Sequence, residues 1–104
     1  RGEMVNVVTL DPKIEQEIMG SVKQTEQGSY ITMDPDRTQS IMRSLKTEVT
    51  KLEELGSSPI IVTSPIVRMY FKHLTGDYFK DLVVVSYNEI ESDVELQSVG
   101  MVTA

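Results

Sequence analysis

Residues 60–74 read IIVTSPIVRMYFKHL, and the fold turns on where this run divides. Ile60–Thr63 is an apolar, β-branched stretch that stops at Ser64-Pro65. A serine at that point suits a helix N-cap, and proline at the first helical position lacks an N–H that would have had no partner. Proline also drives the residue before it into extended conformations, as at the end of a strand. The run therefore reads as strand, cap and helix. The same grammar occurs twice more, where NVVTL runs into Asp11-Pro12 and SYITM into Asp34-Pro35.

Each helix that follows has an apolar stripe. About Pro12 to Gln24, Ile14, Ile18 and Val22 fall at i, i+4 and i+8. From about Pro35 to Leu55, Ile41, Leu45, Val49 and Leu52 line one side. Lys46, Glu48, Lys51 and Glu53 are expected outside, and Gly56 is expected as a left-handed stop. In the third helix Val67, Tyr70, Phe71 and Leu74 have core-facing spacing. Arg68 and Lys72 share the opposite face, with Met69 and His73 beside them. LVVVSY (82–87) is apolar enough for a central strand covered on both faces. VELQSVGMV (94–102) reads as an edge strand, and the short connection before it predicts antiparallel closure. The expected order is βαβαβαββ: an α/β sandwich of two or three layers on a small mixed, mainly parallel sheet.

At 104 residues, 39% hydrophobic and 25% charged, the chain has the composition of a single globular domain spanning residues 1–104. Without cysteine it can form no disulfide, thiolate nucleophile or cysteine-based zinc site, in keeping with a reducing compartment. A net charge of −6 argues against nucleic acid and anionic membrane surfaces, because affinity for either comes largely from cationic groups. No stretch approaches the ~20 apolar residues that cross a bilayer, and the start does not resemble a signal peptide. A chain that begins with Arg1 rather than Met is expected to be a piece of a longer protein.

The sequence offers little for catalysis. The three turns where an α/β fold would hold a ligand contain no glycine, and two carry an Asp that repels phosphate. Asp11 and Asp34 are a conceivable carboxylate pair, but helix capping accounts for both. His73 is the only imidazole, so no multi-histidine metal site can form, and no G-x-S-x-G turn is present. No cofactor is expected. A non-enzymatic interaction module follows, with a small-ligand or nucleotide-binding regulatory domain as the alternative, and a purely architectural domain as a third reading.

The segment PIIVTSPIVRMYFKHLTGDYFKDLVVVSYNEI (59–90) resembles the C-terminal part of the FlhA/InvA family of flagellar and virulence type III secretion export-gate proteins. A weaker likeness extends upstream through VVTLDPKIEQEI and the helix ending EELG, so the resemblance covers roughly Val5 to Val102. The SYNEI ending looks more flagellar than virulence-type. The resemblance implies a membrane-anchored parent whose cytoplasmic subdomains form a nine-membered ring at the inner membrane. Such gates receive export substrates and chaperone–substrate complexes and contact the stalk component of the export ATPase. It implies no direct membrane contact by this piece. Helix phase and turn position make Arg68, Lys72, Tyr87, Asn88 and Glu89 the candidate partner-binding residues; the family implies only that something binds nearby.

Overall fold

All three Asp-Pro and Ser-Pro turns start helices in the computed structural model, which describes residues 2–104. The elements are β1 (Glu3–Leu10), α1 (Pro12–Gly20), β2 (Val22–Thr25), β3 (Gly28–Ile31), α2 (Pro35–Glu54), β4 (Ile60–Thr63), α3 (Pro65–Thr75), β5 (Val83–Ser86), a 3-10 turn (Tyr87–Glu89) and β6 (Val94–Val102). Asp11 accepts the Lys13 N–H at 2.9 Å and Asp34 the Asp36 N–H at 2.8 Å, so both aspartates cap their own helices. Ser64 departs from the expectation, because its hydroxyl makes no capping bond. Its backbone N–H instead donates to Glu15 Oε2 at 2.7 Å, so a carboxylate from α1 serves the start of α3. A carboxylate there also complements the positive end of the helix dipole.

The first helix is shorter than its apolar spacing predicts. Ser21 donates its N–H to the Ile18 carbonyl and its hydroxyl to the Glu17 carbonyl, which closes the helix at Gly20. Val22 then opens a strand, and Val22–Thr25 pairs antiparallel with Gly28–Ile31. Gly28 has φ 124°, a conformation only glycine adopts without strain, and it lets the hairpin turn. The SYITM strand therefore belongs to a separate two-stranded hairpin and not to the main sheet.

The main sheet has four strands in the order β5-β4-β1-β6, and every pairing is parallel. Two expectations are corrected here. LVVVSY is not central: β5 is an edge strand, and Val83 is exposed rather than covered. VELQSVGMV is an edge strand as expected but runs parallel to β1, not antiparallel. The 3-10 turn redirects the chain after β5. The segment 90–93 then crosses to the opposite edge, which no hairpin connection does.

Residues from all three helices and from β1, β4, β5 and β6 form one buried cluster. The α2 stripe of Ile41, Leu45, Val49 and Leu52 is buried as predicted, with Met42 beside it. Gly56 (φ 73°) ends this helix: its N–H bonds the Glu53 carbonyl and that of Ser57 the Leu52 carbonyl, a Schellman motif. In α3, Val67 and Phe71 are fully buried, whereas Tyr70 and Leu74 are only partly so. Glu48 is the exception on α2. Expected outside, it is buried, and its carboxylate lies over Gly100 of β6. Glycine leaves room there because it has no Cβ, and β6 is irregular at this point, its register with β1 shifting between Val7 and Val8.

Candidate functional site

Helix α3 presents two accessible flanks on either side of its buried stripe. Arg68 and Lys72, one turn apart, lie on the flank toward β5 and its 3-10 turn. Ile66, Met69, Tyr70 and His73 lie on the flank toward α1 and the hairpin. The flanks differ because residues i+3 and i+4 stack on a helix, while a shift of two positions turns the side chain roughly half-way round.

On the first flank the predicted residues come together in part. Arg68 Nε lies 3.0 Å from Glu89 Oε1, joining α3 to the 3-10 turn. That N–H does not aim at the oxygen well enough for a hydrogen bond, so the contact is an ion pair by distance alone. Glu89 also accepts the Ser86 N–H at 2.8 Å and the Ser86 hydroxyl at 3.1 Å, while the Asn88 carbonyl group meets the same hydroxyl. Ser86 and Glu89 thus form a reciprocal capping box that fixes the turn. Arg68 is half-buried, and Asn88 and Glu89, though exposed, are already engaged within the protein. Lys72 and Tyr87 remain accessible, Tyr87 at 54% exposure, and Lys72 has no ion pair among the described residues.

Two carboxylates are held ionised into acid. The Ser86 N–H bond, more than the Arg68 charge, lowers the Glu89 pKa, with partial burial acting the other way. A two-pronged hydrogen bond from Arg37, both arms 2.9 Å, lowers that of Glu17 and ties the start of α2 to the end of α1. A depressed folded-state pKa means that the unfolded chain binds the proton more readily. The stabilisation is therefore complete above the unfolded value of about 4.3 and is lost as pH falls through the folded values. The melting temperature is expected to fall below about pH 4.3. In the Glu17→Gln/Glu89→Gln double variant that decline becomes shallower, as thermal melts across acid pH will read; an unchanged slope contradicts this assignment.

The second flank is the part that helix phase alone did not single out. Met19 of α1 sits across from Ile66, and Tyr30 of β3 across from Met69 and Tyr70. The spacing of residues 66, 69, 70 and 73 was a readable signal, but the walls that turn it into a groove come from tertiary structure. Asp11 and Asp34 do not assemble a catalytic pair, since each carboxylate caps a different helix. Among the described residues no group of three or more His, Asp or Glu side chains is placed to hold a metal ion. No helix among them is long and apolar enough to cross a membrane.

The profile of the FHIPEP family matches residues 1–95. This chain belongs to the FHIPEP family. It is 45% identical over 100 residues to the flagellar biosynthesis protein FlhA of Bacillus subtilis strain 168, a match spanning 96% of this chain and 15% of that protein. Among solved structures, the Chlamydia pneumoniae CdsV and CdsO protein complex superposes with a TM-score of 0.84 at 36% identity, covering 96% of this chain and 29% of that one. The nonameric SctV-C of EPEC gives 0.80 at 30% identity, covering 96% and 29%. Its relatives thus include a flagellar biosynthesis protein and the EscV cytosolic domain from a type III secretion system, and this FHIPEP chain spans 15% of the length of the first and 29% of the second.

Proposed function

We propose that this chain is a non-enzymatic docking subdomain of a bacterial flagellar export gate, held at the cytoplasmic face of the inner membrane by a membrane-anchored parent. In this reading it helps to receive export substrates, their chaperones and the stalk component of the export ATPase, and it takes part in ring assembly with copies of itself. One observation carries the proposal: the fold matches across 96% of its length a chain that was solved together with a partner protein, CdsO. A nonameric relative of the same fold supports the ring. The exposed Tyr87 on the turn after β5 supports a contact surface, since tyrosine is enriched among interface anchors.

Lys72 and Tyr87 are the better probes of this surface. Arg68, Asn88 and Glu89 belong to the same proposed contact surface, but their bonds to one another also hold the turn. Charge reversal at Arg68 would put it against Glu89 and disturb that turn. The variant Lys72→Glu/Tyr87→Ala is expected to keep its circular dichroism and melting temperature while binding the ATPase stalk protein roughly tenfold more weakly by calorimetry. Stalk affinity equal to that of the wild type removes this flank from the docking reading.

A further inference from the structure

The groove along the second flank of α3 has the dimensions and chemistry of a helix receptor. Ile66 is 65% exposed and Met69 59%, although both are large and apolar. With Tyr70 and His73 they recur at i, i+3, i+4 and i+7, so they make one continuous stripe separate from the buried Val67 and Phe71. The space beside α1 measures ≈ 340 Å³ and that beside the hairpin ≈ 250 Å³. From Ile66 to His73 the stripe runs about 10 Å, two turns of an α-helix.

Charge selects the occupant. On a chain of net charge −6, the groove presents no free carboxylate. Its single acidic lining residue, Glu15, is engaged by the Ser64 N–H. Two basic groups stand beside the stripe. His73 lines it, and Lys23 stands directly opposite Tyr30 in the hairpin ladder. Lys23 has no ion pair among the described residues.

We propose that this groove binds an amphipathic helix of a partner protein, with an apolar i, i+3, i+4, i+7 stripe seated on Ile66, Met69 and Tyr70 and acidic residues on its flanks meeting Lys23 and His73. Seating a helix by such anchors is a recurrent recognition mode, and the mobile thioethers of Met69 and Met19 adapt to the side chains that enter. The inference stands apart from the export reading, because it rests on the shape and charge of the groove.

The test uses two synthetic helical peptides with the same leucine stripe, one flanked by glutamates and the other by lysines. Each is titrated into the isotope-labelled chain while methyl and amide signals are followed. The glutamate peptide is expected to shift Ile66, Met69 and the β3 amides and to bind about tenfold more tightly than the lysine peptide. Ile66→Ser/Met69→Ser should weaken it by at least a further factor of about ten at unchanged circular dichroism, since surface changes of this kind rarely disturb folding. Equal binding of both peptides overturns the proposal, as do shifts outside the groove or no binding by either. Concentration-dependent shifts of the chain alone, with dimers in sedimentation, would assign the groove to a second copy and overturn it too.

Discussion

Phe71→Ala is expected to cost about 3–5 kcal/mol of folding stability, the range for removing a buried aromatic side chain. Phe71 is 0% exposed and is the largest fully buried side chain in the protein. It stands in the one cluster that receives residues from all three helices and the main sheet, so the cavity would open where α3 meets the rest of the molecule. Domains of this size have only about 5–15 kcal/mol in total, so the variant should sit near its unfolding threshold at physiological temperature. Urea denaturation would show this as a lower midpoint at unchanged slope. Ile66→Ser, five residues earlier in the same helix, should cost no more than about 0.5 kcal/mol of stability. Similar losses for the two variants would mean that the faces of α3 are wrongly assigned.

Gly100→Ala is expected to destabilise by about 1–3 kcal/mol, as overpacking does, and nearly all of the loss should depend on Glu48. A methyl group at position 100 would meet the Glu48 carboxylate, whose Oε1 and Oε2 lie 3.2 and 3.1 Å from Lys51 Nζ. The β6 backbone is held in its ladder with β1, so the carboxylate must swing away and leave its lysine. In a Glu48→Ala background the obstacle is gone. There Gly100→Ala should cost less than about 0.5 kcal/mol, giving a coupling well above what distant sites show. Strictly additive losses would mean that Glu48 does not rest on β6.

These two sites mark the limit of what the sequence discloses. The strand-to-helix turns were legible because Asp-Pro and Ser-Pro act on their immediate neighbours, and Gly56 was legible for the same reason. The β2–β3 hairpin was hidden by a coincidence: Val22 continues the Ile14–Ile18 spacing, although Ser21 has already closed the helix. Strand order was not legible either. Val83–Val85 is apolar whether its strand is central or at an edge, and the direction of β6 depends on a crossing that no local signal announces. The burial of Glu48 depends on the absence of a side chain at Gly100, far along the chain. In the candidate site, helix phase correctly placed Lys72 at the surface, and turn position did the same for Tyr87. It could not foresee that Arg68 would meet Glu89, nor that Met19 and Tyr30 would wall the stripe of Ile66 and Met69.

On the function proposed above, this chain docks partners of the export machinery. Amide NMR of the labelled chain tests it most directly, with the ATPase stalk protein and flagellar chaperone–substrate complexes added in turn. Shifts confined to α3 and to the Tyr87–Glu89 turn are expected with at least one of these partners. Spectra that do not move with any of them would contradict it.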